Sequence, residues 1–183
     1  MKKLLCLLFF LNSSLMAEEL SLKYSTGPNL QKYPLSQTKS QIVQLELGEE
    51  IESIIIHGEG KYKVFLQTET SLTVMNEGPH IDLVNWKHGK SKSIELQTKN
   101  NEFVFVDQTI GLEFPSFTNK ELVKEVTKEA GKRWGQLAKK CKSANSEPCG
   151  IGPSKFIFKI QKEEVKDKFI DLGQIVFIPP MGC

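Results

Sequence analysis

From Gln41 to Val106, apolar and polar residues trade places in short runs, and each run ends at residues that turn the chain. Ile42, Val43, Leu45 and Leu47 stop at Gly48-Glu49-Glu50, and the isoleucine-rich run Ile51 to Ile56 stops at His57-Gly58-Glu59-Gly60. Tyr62 to Leu66 and Ser71 to Met75 follow, each carrying β-branched or aromatic residues between polar ones. Such residues suit a pleated, half-buried surface, so each run predicts a strand. Ser93 to Thr98 and Phe103 to Val106 flank Lys99-Asn100-Asn101-Glu102. Asparagine tolerates positive φ, so this pair predicts a hairpin. Strands about ten residues apart with turns between them predict a β-sandwich or barrel rather than a sheet with crossover helices. Ser25 to Ser40, with Gly27-Pro28 and Pro34, lacks that period and reads as an irregular lead-in.

After Phe114-Pro115 the period lengthens. Thr118 followed by Glu121 is a capping-box pattern, and Leu122, Val126, Ala130, Trp134 and Leu137 recur at helical spacing up to about Lys140. Gly131 and Gly135 weaken the second half of this helix. On its flanks each of Glu121, Glu125 and Glu129 has a lysine three positions on, which reads as a solvated face laced with weak ion pairs. Phe156, Phe158 and Ile160 then alternate with Ile157 and Lys159, and Gln174 to Ile178 runs into Pro179-Pro180, where pairing loses its donors. The expected fold class is mainly β: a β-sandwich domain over 18–113, then over 114–183 an amphipathic helix and a C-terminal β-hairpin, an α+β lobe that packs on the sandwich.

The start of the chain changes where such a fold would reside. Lys2-Lys3, eight apolar residues from Leu4 to Leu11, and Ala17 ahead of Glu18-Glu19 have the three-part layout of a signal peptide over residues 1–17. The apolar run is far shorter than the about 20 residues that span a bilayer, so the expected product is exported and soluble or peripheral, with no transmembrane segment after removal of the signal. Cys6 lies inside the apolar run and does not read as a lipidated cysteine.

The chain has 24 Lys+Arg and 22 Asp+Glu, and the leader holds two of the lysines and no acid, so the processed chain balances at 22 of each. Neutral balance argues against a nucleic-acid binder, whose affinity rests on clustered cations. Of the remaining cysteines, Cys141 and Cys149 flank a polar, turn-forming segment and are expected to form a disulfide in an oxidising compartment. Cys183 is then left over, as a free thiol, a partner for another chain, or a frayed tail.

Candidate chemistry is sparse. His57, His80 and His88 show no zinc-ligand spacing, and no metal or cofactor is expected. Ser36-Gln37-Thr38-Lys39 matches a Ser-x-x-Lys string without its companion motifs, and no Gly-rich phosphate loop or Gly-x-Ser-x-Gly elbow occurs. Glu49, Glu50 and Glu59 sit at turns, where solvation accounts for them. The chain is therefore expected to be no enzyme. Trp86, in the loop Asn85-Trp86-Lys87-His88-Gly89, either anchors a partner or caps one end of the core, and the same holds for Phe114 and Phe117. These three aromatics are the candidate partner contacts.

The series Leu45-Glu46-Leu47-Gly48-Glu49-Glu50-Ile51, then Ile56 to Phe65, Leu72-Thr73-Val74, and Ser93 to Phe105 resembles the N-terminal β-sandwich domain of the TrbG/CagX family, over roughly residues 41 to 107. The resemblance implies a periplasmic or outer-membrane-associated component of the outer-membrane ring of a type IV secretion or conjugation machine, with other envelope proteins, and further copies of itself, as partners. It departs where the family carries a second β domain and a tryptophan in the third strand; here a helix, a disulfide loop and two strands follow, and the third strand has Tyr62 and Phe65. The competing expectation is a secreted, monomeric β-sandwich that binds a ligand or inhibits an enzyme through the loop from Gly78 to Gly89.

Overall fold

A computed structural model gives the fold and describes residues 18–24, 31–35, 40–46, 49–109 and 111–180. The expected leader, the Ser36-to-Lys39 string, Gly48 and Cys183 lie outside these residues. In chain order the strands are β1 Glu19–Tyr24, β2 Lys32–Pro34, β3 Ser40–Gln44, β4 Ile51–His57, β5 Tyr62–Met75, β6 His80–Asp82, β7 Gly89–Lys90, β8 Ile94–Glu95, β9 Thr98–Lys99 and β10 Glu102–Val104. The helices α1 Asn119–Ala130 and α2 Lys132–Ala138 follow, and then β11 Cys149–Val165 and β12 Lys168–Ile178. The fold is mainly β, as the strand pattern predicts, with two helices among the described residues where one was expected.

One sheet runs β2-β1-β4-β10-β9, and the other runs β3-β12-β11-β5-β6 with β7 and β8 also paired to β5. The two face each other over one core. Leu20, Leu22, Ile54, Ile56 and Phe103 from the first sheet pack with Val64, Leu66, Phe158, Ile160, Ile175 and Phe177 from the second, and all are at most 3% exposed. Edge-to-face ring contacts knit this layer, with Phe158 and Phe177 centred 5.5 Å apart and Tyr33 and Phe177 5.6 Å apart. A second apolar cluster gathers Leu72, Val74 and Leu83 with Leu122 and Val126 of α1, Ala138 of α2, Cys141 and Cys149. The helices thus cover the far end of β5, beyond the sandwich proper.

Four expectations are corrected, three in the strands and one in the helix. Tyr62–Leu66 and Ser71–Met75 form one 14-residue strand. The polar stretch between them stays in the sheet because Thr68 and Thr70 continue the inward face, while Glu69, pointing the other way, meets Lys90 and Lys155 on the strands to either side. The 93–106 hairpin is divided: Ile94–Glu95 pairs with β5 in one sheet, and only Thr98–Lys99 pairs with Glu102–Val104 in the other. Its turn is as expected, with φ of 54° at Asn100 and 59° at Asn101. The C-terminal hairpin is no separate lobe. β11 pairs antiparallel with β5 from Cys149↔Val74 to Lys162↔Tyr62, and β12 pairs parallel with β3. Its apolar alternation matches that of β5, so the hairpin completes the sandwich.

The single helix expected to Lys140 breaks at Gly131, whose φ of +86° no L side chain adopts readily. Gly135 then lets α2 fold back on α1, since a Cβ there would stand 2.0 Å from Thr127 Oγ1.

Candidate functional site

The sequence candidates converge at the helical end of the molecule. Thr118 caps α1 with both halves of a capping box: its backbone N–H donates to Glu121 Oε2 at 2.6 Å, and the Glu121 N–H donates back to Thr118 Oγ1 at 3.2 Å. The backbone bond to Oε2, and after it the Thr118 hydroxyl donating to the same oxygen at 2.9 Å, hold the Glu121 carboxyl below the usual carboxylate range. Lys87 reaches the same corner from the loop after β6. Its ammonium donates to the Ser116 carbonyl at 2.8 Å, stands 3.6 Å from Glu121, and lies 5.4 Å from the Trp86 ring centre. The loop is therefore clamped to the start of α1.

This clamp assembles the aromatics. Trp86 and Phe117 lie 5.4 Å apart between centroids, Phe117 and Phe114 6.2 Å apart, and all three are half-buried against the second cluster. The structure brings Trp86, Phe114 and Phe117 into one group that closes the core over Leu83 and Leu122. The Cys141–Cys149 disulfide forms in the same cluster, with Cα atoms 5.6 Å apart, and ties the end of α2 to the start of β11. Asn119 adds a second tie, its amide donating to the carbonyls of Ala138, Lys139 and Cys141 at 3.3, 3.2 and 3.0 Å.

Two clefts flank the turn from Asn76 to Pro79. One, about 430 Å³, lies between this turn and α2, and Arg133, Trp134 and Lys140 line it. The other, about 370 Å³, holds Thr73, His80 and Asp82. There Asp82 takes both partners: His80 Nε2 stands 3.0 Å from one carboxylate oxygen, and the Thr73 hydroxyl donates to the other. A hydroxyl nucleophile requires the base itself on its proton, with the acid behind the base. With the acid in the middle, His80 has no proton to take from Thr73. His57 bonds the buried Ser21 hydroxyl at 2.8 Å, and His88 Nε2 donates to the Val84 carbonyl at 3.0 Å. Among the described residues no three His, Cys, Asp or Glu side chains gather as a metal site.

The Lys–Glu ladder of α1 is less regular than its spacing predicts. Lys128 takes both Glu125, at 2.7 Å, and Glu129, at 3.1 Å, while Glu121 turns to Lys87. The clefts beside the Asn76–Pro79 turn were missed because their walls come from segments far apart in the chain. One signal was available: Arg133, Gln136, Leu137 and Lys140 stand at i, i+3, i+4 and i+7, one stripe of a helix.

The remaining exposed feature is an edge. β3 ends the second sheet, pairs only with β12 among the described residues, and carries Ile42 at 68% exposure. No described helix is long and apolar enough to cross a membrane. No family model matches the chain, and the comparisons found no similar curated protein or solved structure.

Proposed function

We propose that the protein is an exported, non-enzymatic assembly module that joins a multi-subunit envelope complex, of the type IV secretion kind that the TrbG/CagX resemblance implies. The observation that carries this reading is the β3 edge. A sheet edge offers unpaired N–H and C=O groups to an incoming strand, and monomeric proteins commonly blunt it with charge or proline. β3, Ser-Gln-Ile-Val-Gln, carries neither, and presents an exposed isoleucine instead. An extended segment of another envelope protein would add main-chain hydrogen bonds along β3 and cover Ile42. The Cys141–Cys149 disulfide agrees with an oxidising compartment.

In this reading Trp86, Phe114 and Phe117 hold the helical end rigid and present their exposed rims at the surface. Affinity purification of the tagged protein from mild detergent extracts of its native envelope, with sizing and identification of co-purifying chains, tests the proposal. Recovery in a large particle with other envelope proteins is the expected result. A monomer in the soluble fraction contradicts it and favours a binding sandwich that acts alone.

A further inference from the structure

Neutral overall balance conceals a segregated charge. Between Thr118 and Lys142 the chain carries eight Lys or Arg against three Glu, an excess of five positive charges, although residues 18–183 balance. The three acids are already engaged, Glu121 by Lys87 and Thr118, Glu125 and Glu129 by Lys128. Arg133, the chain's sole arginine, and Lys140 make no ion pair among the described residues. Outside this segment most described lysines are paired: Lys23, Lys32, Lys63, Lys90, Lys155 and Lys159 each meet a carboxylate.

Arg133 and Lys140 both line the cleft of about 430 Å³ between α2 and the Asn76–Pro79 turn, and among the described residues no carboxylate lines it. Its other groups are selective. Trp134 is half-buried, so it contributes a fixed indole surface, and Asn76 and Gln136 offer amides that both donate and accept. Arginine's planar fork matches a carboxylate in two parallel hydrogen bonds, with lysine as a second point charge. Amides suit hydroxyl groups, and an indole suits the apolar face of a ring. The volume falls in the range of small-ligand clefts, about 300 to 1,000 Å³. A bare anion would leave the amides and the indole idle. A nucleic-acid strand calls for successive stacking aromatics, and this cleft has one.

We propose that this cleft binds an acidic saccharide, a short chain of carboxylated sugars, with Arg133 and Lys140 on a carboxylate, Trp134 under a sugar ring, and Asn76 and Gln136 on hydroxyls. The site is independent of the β3 edge and of any assembly role.

The chain holds two tryptophans, so Trp86→Phe leaves Trp134 as the sole indole emitter. The full chain with this substitution is titrated with tetragalacturonate, its neutral methyl ester, inorganic phosphate and phosphatidylglycerol vesicles, following fluorescence. Calorimetry on the unmodified chain repeats the titrations, so the result does not depend on that variant's folding. The expected result is saturation by tetragalacturonate with Kd below about 1 mM, and binding at least about ten-fold weaker for the ester and for Arg133→Gln. Arg133 is exposed, so this variant keeps its unfolding midpoint. Absence of saturation by about 10 mM overturns the proposal, as does equal affinity for the ester or an unaffected Arg133→Gln. Phosphate or vesicles that saturate the same signal as readily as tetragalacturonate overturn it as well.

Discussion

Replacing Glu69 by glutamine is expected to destabilise the protein by about 1 to 2 kcal/mol at neutral pH and by much less in acid. The Glu69 side chain is 6% exposed and lies midway along β5, with Lys90 Nζ at 2.6 Å and Lys155 Nζ at 3.1 Å on the flanking strands. Hydrogen bonds to a charged group contribute about 1.5 to 3 kcal/mol each. The lysines, however, are 58% and 38% exposed, so once released they regain water, and solvent screens the pair. Glutamine keeps the shape and one acceptor, which leaves the net loss at about 1 to 2 kcal/mol.

The pH dependence follows from the same contacts. Burial by itself would push the Glu69 carboxyl up, but the hydrogen bonds from Lys90 and Lys155 outweigh it and hold the group below its ordinary value of 4.5. A folded-state pKa below the unfolded one gives stability that is fully present above the unfolded value and is lost as pH falls through the folded one. The gap between wild type and Glu69→Gln is therefore flat above about pH 5.5 and closes as the pH drops below 4.5. Urea unfolding of both proteins at pH 7 and at about pH 3.5 reads this difference, in which every other titrating group cancels. A gap of the same size at both pH values, or none at pH 7, would refute the reasoning.

Reduction of Cys141–Cys149, or its replacement by two serines, frees a loop with a sequence separation of 8 and is expected to cost about 2 to 3 kcal/mol by loop entropy, read as a lower urea midpoint. Gly135→Ala places a methyl group against Thr127 Oγ1 and is expected to cost about 1 to 3 kcal/mol; Thr127→Ala in the same chain should recover most of it, and a strictly additive double mutant refutes the contact. Asn119→Ala leaves the carbonyls of Ala138, Lys139 and Cys141 without that donor and is expected to cost about 1 kcal/mol, with hydrogen exchange rising at the end of α2 ahead of the sandwich strands.

Legible in advance were the isoleucine-rich run Ile51–Ile56, closed by turn residues, and the Asn100-Asn101 turn. The polar centre of β5 was not. Gln67-Thr68-Glu69-Thr70 resembles a turn until Lys90 and Lys155, distant in sequence, arrive beside Glu69. The break at Gly131 was hinted at by helix propensity, but the reversal of α2 needed the packing of Gly135 on Thr127. The disulfide followed from the polar, turn-forming spacing of Cys141 and Cys149 and the oxidising compartment expected from the leader. Whether the last two strands completed the sandwich or stood apart depends on pairing across up to about 100 residues, from Tyr62 to Lys162, which local pattern does not encode. For the candidate sites, the aromatics were legible as individual residues and their union was not. Net charge concealed the basic helical segment because strands elsewhere carry the compensating acids.

The most direct test of the assembly account places a photo-crosslinking amino acid at Ile42 on the β3 edge, with Val165 near the β11–β12 turn as the control, since both are exposed at 68% and 60%. The account predicts an adduct with another envelope protein, or with a second copy of the chain, from position 42 and none from position 165. An unmodified monomer at position 42, or the same adducts from both positions, would contradict it.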